Sequence, residues 1–152
     1  MIYVECKPDK TLVIVLTNKT PDEILHFGGK SEIFRRMQRE RNVIGIVDED
    51  PSAPIHPYIR NLNLEDQKYS LKLYFDKIRA NKLIVICPRL EEWVLEIAKQ
   101  ENINLSDFNL PDNPTEFHST VNFNITNFQK LLHKLKETEN KRLLALKEFI
   151  LK

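Results

Sequence analysis

The chain is 152 residues long, with 41% hydrophobic and 30% charged side chains, and 23 basic against 22 acidic residues give a net charge of +1. This composition is typical of a globular protein with one core. The net charge excludes a strongly acidic or strongly basic protein, but it is compatible with a basic patch on part of the surface. An early Lys, Glu and Pro exclude a signal peptide, and no apolar run approaches the roughly 20 residues of a membrane span, so we expect a cytoplasmic protein.

The first half of the chain alternates apolar runs with turns. Residues 11–16 fit a strand because they are rich in β-branched side chains, but Pro8 followed by Asp9 equally suits the first turn of a helix. The other predicted elements are a strand over 2–4, a strand over 23–27, an amphipathic helix over 30–41 and a strand over 43–47 that is apolar on both faces.

The second half contains more predicted helix. Thr126 and Gln129 form a capping-box pair before an apolar stripe at helical spacing, which predicts a long C-terminal helix that runs or restarts to the end of the chain. The other predicted segments are a loop over 51–70, a short helix over 71–79, a strand over 82–87, a helix over 90–100 and a surface loop over 101–125.

Strands that alternate with helices predict an α/β fold with a mainly parallel sheet of about four strands, flanked by helices. We expect a single domain over residues 1–152. Its parts are a core over 1–100, a loop-rich connection over 101–125 and the C-terminal helix over 126–152.

Acidic residues follow two of the predicted strands where those strands end. Glu5 follows the first strand, and Asp48 and Asp50 follow the strand over 43–47. Residues two apart on an extended chain project to the same side, so Asp48 and Asp50 can converge while Glu49 faces away. Ligands of open α/β sheets bind beyond the carboxyl ends of the strands, so this pattern indicates a candidate site there.

Three clustered carboxylates need a compensating charge. Two like charges about 4 Å apart repel by roughly 4 kcal/mol at an effective dielectric near 20. Protonation, a basic neighbour or a bound cation relieves that repulsion. Carboxylate oxygens with room for water suit Mg²⁺ or Mn²⁺, whereas the alternative is that the acids are solvated at the starts of loops.

Several short motifs resemble those of Toprim domains. The stretch "YVECKPD" resembles their "VEG-x-x-D" opening, "GIVDED" resembles their strand ending in Asp-x-Asp, and "HFGGKSEI" looks like their glycine turn from second strand to helix. Farther along, "PRLEEWVLEIAK" and "LPDNPTEFH" are similar to segments of small Toprim-like families related to the overcoming-lysogenization-defect nucleases. The resemblance spans most of the chain.

The resemblance implies a Toprim-like, Rossmann-like fold with a helix after Pro8. Carried across, Glu5 is the general acid/base, and Asp48 and Asp50 join it in holding Mg²⁺ or Mn²⁺. In Toprim enzymes this arrangement makes or breaks phosphodiester bonds of nucleic acid. One departure is Cys6, which stands where the motif usually has glycine and therefore bears on how closely nucleic acid can approach.

Three further residues are candidates for accessory roles at the acidic site. Lys7 and Asp9 belong to the first Toprim-like motif. Glu91 follows the fourth predicted strand closely enough to approach an ion, although an acid at a helix start also stabilises the helix macrodipole.

Three basic residues are candidate phosphate contacts. Lys30 stands at a predicted helix start, where anions bind, and Arg35 and Arg39 share one face of that helix. The alternative for the arginines is an ordinary solvated surface. The run Gly28-Gly29-Lys30-Ser31 lacks the earlier glycine of a P-loop, which argues against a nucleoside-triphosphate site.

Three functions remain open from the sequence. The leading expectation is Mg²⁺-dependent nuclease chemistry on nucleic acid. The second is a non-catalytic Toprim-like module that binds nucleic acid or a partner such as an ATPase. The third is an Asp-nucleophile phosphatase, because haloacid-dehalogenase-type phosphatases also open with a strand followed by Asp-x-Asp. Whether the C-terminal helix pairs two copies into a homodimer stays open.

Overall fold

The computed structural model describes all 152 residues and confirms an α/β fold, with six strands and seven helices. No helix combines the length and the apolar character needed to cross a membrane. The strands are β1 (Ile2–Val4), β2 (Ile24–His26), β3 (Ile44–Asp48), β4 (Asn63–Lys68), β5 (Leu71–Asp76) and β6 (Asn81–Ile86). The helices are α1 (Lys7–Thr17), α2 (Lys30–Met37), α3 (Pro57–Arg60), α4 (Leu90–Gln100), α5 (Pro114–Val121), α6 (Ile125–Glu137) and α7 (Lys141–Leu151), with single 3₁₀ turns at Pro21–Glu23 and Leu105–Phe108.

The six strands form one mixed sheet in the order β2-β1-β3-β6-β5-β4. The first four in that order are parallel, whereas β5 is antiparallel to β6 and β4 is antiparallel to β5. Val4 pairs with Ile46, and Asp48 pairs with Ile86, so the carboxyl ends of β1, β3 and β6 lie side by side. The expected sheet of about four mainly parallel strands is therefore wrong, because an antiparallel hairpin extends the parallel part.

Helices cover both faces of the sheet, which explains why its central strands are apolar throughout. On one face, 29 buried residues form a core with α1, α4, α5, α6 and α7, and on the other face nine pack with α2 and α3. Successive residues of β3 enter opposite cores, as Ile46 and Val47 show. Gly45 allows α2 to pack directly on β3, since a Cβ there would lie 2.5 Å from the Met37 sulfur.

The segment after Pro8, which fits either a strand or a helix by composition, is helix α1. Pro8 stands in its first turn, where a missing N–H has no cost. Asp9 accepts a hydrogen bond from the backbone N–H of Cys6 and so closes that turn. Asn18, in the left-handed conformation, ends the helix. The helix packs against α6 and α7, which makes it part of the larger core.

Two predictions for the middle of the chain are wrong. Residues 71–79, predicted as a helix, form β5 and the turn after it, because their alternating side chains pair with β6. The predicted loop over 51–70 contains α3 and β4. β4 is a polar edge strand that forms by pairing with β5, which its own composition does not indicate.

The predicted loop over 101–125 contains helix α5. Asn113 caps this helix by accepting hydrogen bonds from the backbone N–H groups of Thr115 and Glu116. Pro114 occupies the first helical position. Both are standard start signals, so the sequence does contain the information for this helix.

Of the two alternatives for the C-terminal helix, the structure has the restart, with α6 and α7 as two helices. Glu139 adopts a left-handed conformation after α6, and Asn140 caps α7 by accepting the Arg142 N–H. α6 itself begins at Ile125, with Asn124 as its N-cap residue. The predicted capping-box pair of Thr126 and Gln129 therefore lies inside the helix.

Candidate functional site

Four acidic side chains lie near one another at the carboxyl edge of the parallel strands. Glu5 follows β1 and Asp48 ends β3, while Asp9 and Glu91 stand in the first turns of α1 and α4. Asp9 is only 4% exposed and Glu91 only 6% exposed, which is rare for acids. We refer to Glu5, Asp9, Asp48 and Glu91 as the acidic cluster.

Backbone donors fix Glu5 and Asp48 relative to each other. The Asp48 N–H donates to Glu5 Oε2 at 2.7 Å, and the Leu90 N–H donates to Asp48 Oδ1 at 3.0 Å. The other oxygen of each carboxylate receives no donor from the protein. The one buried side-chain polar atom without a partner is Glu92 Oε2, so the free oxygens of Glu5 and Asp48 are accessible to solvent.

Burial and like charge raise the pKa values of three members of the acidic cluster, Glu5, Asp9 and Asp48. Desolvation raises the pKa of Asp48 to about 9, and repulsion from Asp9, Glu5 and Glu91 adds to the effect. Desolvation also raises the pKa of Asp9 to about 7 and, to a smaller extent, the pKa of Glu5. Asp48 therefore retains its proton near neutral pH unless a cation compensates the charge of its carboxylate.

Cys6 supports Asp9 through two hydrogen bonds. Its backbone N–H and its thiol both donate to Asp9 Oδ2, at 3.1 and 3.0 Å. The backbone at Cys6 is extended, with a φ of −146°, so this position does not require glycine. Burial raises the pKa of the thiol, which therefore stays protonated and serves as a donor.

Asp50 lies at the same edge but is engaged by basic side chains. β3 ends at Asp48, and Asp50 has a left-handed φ of 52°, so the alternation of an extended chain does not reach it. Its carboxylate pairs with Arg89 Nε at 3.0 Å and with Lys30 Nζ at 3.6 Å. The structure thus brings Glu5 and Asp48 together and pairs Asp50, at the same edge, with Arg89 and Lys30.

A cavity of about 530 Å³ opens beside the acidic cluster. The charged residues of its lining are Glu5, Lys30, Asp48, Glu49, Asp50 and Lys72. Glu49, expected to face away from the site, belongs to this lining and pairs with Lys72 Nζ at 2.9 Å. The cavity therefore carries open carboxylates and ammonium groups side by side.

Much of the remaining cavity wall is apolar or aromatic. The ring of His56 packs against Phe34 with 4.5 Å between centroids, and His56 Nδ1 accepts the backbone N–H of Tyr58 at 3.1 Å. The neutral ring consequently carries its proton on Nε2. Ile55 lies in a loop between two prolines. It lines the cavity and is nevertheless 62% exposed.

Glu91 has a histidine partner from α5. His118 Nδ1 lies 2.7 Å from Glu91 Oε1, and the Glu91 side chain is only 8% exposed. The sequence assigns His118 no role, because the four histidines have no mutual zinc spacing and a lone histidine is more often structural. The contact compensates a buried carboxylate at the back of the acidic cluster.

The remaining predicted site residues lie outside the cavity. Lys7 is exposed at the start of α1. Arg35 is engaged by Glu32 through hydrogen bonds of 2.8 and 2.5 Å. Arg39 is exposed in the turn after α2, which ends at Met37, so the expectation that Arg35 and Arg39 share one helix face is wrong. Of the three predicted phosphate contacts, Lys30 alone lines the cavity.

Sequence reasoning misses Lys72, Arg89 and His56 as site residues. Lys72 lies in the segment predicted as a helix, although the alternation around it would have placed Lys72 and Tyr74 on one face of a strand. Arg89 and His56 reach the site through loops, for which the sequence has no periodic signal.

The donor chemistry of the acidic cluster fits a hard divalent cation. Mg²⁺ is usually bound by one or two carboxylates, with water and substrate phosphate as its other ligands. Glu5 and Asp48, each with one open oxygen, match that requirement. No group of three His, Cys, Asp or Glu side chains is placed so that it could hold one metal ion.

Comparison of the chain with protein-family models, with curated proteins and with solved structures finds no match. The fold and the site define an α/β protein with an acidic, cavity-associated centre at the carboxyl edge of its parallel strands. Its function has to be inferred from the residues of that centre.

Proposed function

We propose that this protein is a Toprim-like, Mg²⁺- or Mn²⁺-dependent enzyme that cleaves phosphodiester bonds of nucleic acid. The observation that carries the proposal is the pair Glu5 and Asp48, with one open oxygen each, beside a cavity that also contains Lys30 and Lys72. Carboxylates for a divalent cation and cations for phosphate are what phosphoryl transfer requires. The motif resemblance supports the same class.

The surroundings of each residue indicate its role in the proposed reaction. Asp48 would hold the divalent ion, with Glu5 beside it, and the bound ion would polarise a phosphoryl oxygen. The Leu90 N–H fixes one oxygen of Asp48 and thereby orients the other. Lys30 and Lys72 bind and orient the phosphate. The raised pKa of Glu5 suits it to take up or release a proton at its open oxygen.

Asp50 joins this set only if it leaves its ion pairs with Arg89 and Lys30. Those pairs favour a second candidate function, a non-catalytic module that binds nucleic acid or a partner such as an ATPase. In such a module the third acid stays occupied, and the cations serve binding alone. Metal-dependent binding of nucleic acid without cleavage is the result expected for it.

Nicking of supercoiled plasmid and cleavage of single-stranded DNA and RNA, each with Mg²⁺ or Mn²⁺, tests the enzymatic proposal. We expect the wild type to cleave at least one of these substrates and Asp48→Asn to lose about 100-fold or more of that cleavage. Asp107→Asn, which alters an exposed acid outside the site, serves as the matched control and should cleave normally. Equal cleavage by Asp48→Asn and the wild type would contradict the site.

Calorimetric titration with Mn²⁺ tests the ion site without reference to activity. Wild type and Asp107→Asn should bind Mn²⁺ alike, whereas Asp48→Asn and Glu5→Gln should bind at least about tenfold more weakly. Hydrolysis of a phosphate monoester without any cleavage of diesters would instead favour the phosphatase with Asp48 as nucleophile.

A further inference from the structure

We propose that the cavity beside the acidic cluster holds a single nucleotide unit, with its base against Ile55 and His56 and its phosphate beside Lys30 and Lys72. This inference rests on the proposed function for the identity of the phosphate group, and it adds the substrate class. The unit is a free nucleotide or the end nucleotide of a single strand, and the interior of a duplex is excluded.

The size of the cavity matches one such unit. Small-molecule sites measure about 300–1,000 Å³, and a volume of about 530 Å³ falls within this range. A nucleotide inside a duplex is stacked and paired, so it enters a cavity only after it has left the stack. A chain end or a free nucleotide meets no such barrier.

The apolar wall suits a nucleobase. His56 is fixed from two sides, by the ring of Phe34 and by the backbone N–H of Tyr58, so it presents a rigid aromatic surface. All nucleobases can stack on aromatic side chains, so such a surface does not select one nucleotide sequence. Ile55 is 62% exposed and lines the same cavity, so its side chain is available to pack against a base.

The charged wall suits the phosphate. Lys30 and Lys72 are each positioned by an acid of the cavity, at 3.6 Å from Asp50 and at 2.9 Å from Glu49. These ion pairs keep the ammonium groups at the cavity before a ligand arrives, and a phosphate can compete for the same donors. One cavity thus combines the two chemical environments that the base and the phosphate of a nucleotide require.

Binding of adenosine 5′-monophosphate, compared with ribose 5-phosphate, isolates the contribution of the base. With Mn²⁺ present, we expect the mononucleotide to bind roughly tenfold more tightly by calorimetry. Ile55→Ser and His56→Asn should remove most of that difference; asparagine retains the helix cap of α3. Ile78→Ser, a matched change at an isoleucine that is 73% exposed outside the cavity, should have no effect. Circular dichroism verifies that each variant is folded.

Linear and circular single strands of one sequence separate the two sources of the nucleotide unit. Preference for the linear strand assigns the cavity to a chain end, and mononucleotide binding as tight as that of the linear strand assigns it to free nucleotides. Equal affinity for ribose 5-phosphate and the mononucleotide would overturn the proposal, as would binding that is insensitive to both Ile55→Ser and His56→Asn.

The same variants distinguish failure of this inference from failure of the proposed function. If no cleavage occurs but mononucleotide binding depends on Ile55, the nuclease proposal fails and the nucleotide cavity stands. If cleavage depends on Asp48 but neither cleavage nor binding responds to Ile55→Ser or His56→Asn, the nuclease proposal stands and the nucleotide cavity fails.

Discussion

Replacing Asp48 by asparagine should make the ion-free protein more stable at neutral pH. Burial and the nearby acids raise the pKa of Asp48 from 3.8 to about 9 in the folded protein. At neutral pH the unfolded chain has lost this proton, whereas the folded protein keeps it. Each pH unit between the unfolded pKa and neutral pH lowers the free energy of unfolding by about 1.36 kcal/mol. Over roughly three such units, the ionisable group of Asp48 destabilises the fold by about 4 kcal/mol.

Asparagine retains the acceptor for the Leu90 N–H and removes the ionisation. Because a buried amide still has a desolvation cost, we expect a gain of about 2–4 kcal/mol in the free energy of unfolding near pH 7. Between the two pKa values of Asp48 the folded protein binds more protons than the unfolded chain, so wild-type stability falls as pH rises. The advantage of Asp48→Asn should therefore be absent near pH 4 and grow toward pH 9.

Urea denaturation of wild type, Asp48→Asn and the control Asp107→Asn, in chelator and at several pH values, measures this difference. Added Mn²⁺ should stabilise the wild type and Asp107→Asn but not Asp48→Asn, because an ion that binds the folded state adds to its stability. An Asp48→Asn variant less stable than the wild type near pH 8, or an advantage that does not change with pH, would refute the reasoning.

Three further stability predictions can be measured by the same urea titration. Lys82→Met should lower the free energy of unfolding by about 1–3 kcal/mol, because Lys82 Nζ donates to two carbonyls at the end of α7, at 2.7 and 3.2 Å. The control Lys77→Met changes an exposed lysine and should leave the free energy of unfolding unchanged. Gly45→Ala should cost about 1–3 kcal/mol, because its Cβ would lie 2.5 Å from a methionine sulfur of α2; a neutral result would show that α2 can move away. His118→Ala should cost about 1–3 kcal/mol by removing the partner of the buried Glu91, and unchanged stability would show that the 2.7 Å contact contributes nothing.

Local sequence signals predict the elements that carry their own periodicity. The helix over 90–100 agrees with α4, and the apolar run before Asp48 agrees with β3. Helix α5 has its start signals at Asn113 and Pro114, but polar residues around them mask its short apolar face. In the hairpin of β4 and β5, the polar strand β4 has no such local signal, whereas the side chains of β5 do alternate. The two strands form because β6 offers an open edge, and that edge exists only once the sheet is assembled.

For the candidate site, too, some features follow from the sequence and others only from the tertiary structure. The sequence alone shows that Glu5 and Asp48 stand at the carboxyl ends of two strands. Because β1 and β3 are parallel neighbours, both acids then lie at the same edge of the sheet. Only the tertiary structure decides that Asp50 pairs with Arg89, because the left-handed backbone at Asp50 breaks the alternation of the strand. It also decides the burial of Asp9, since desolvation and the repulsion between acids depend on distances in space, which no spacing along the chain determines.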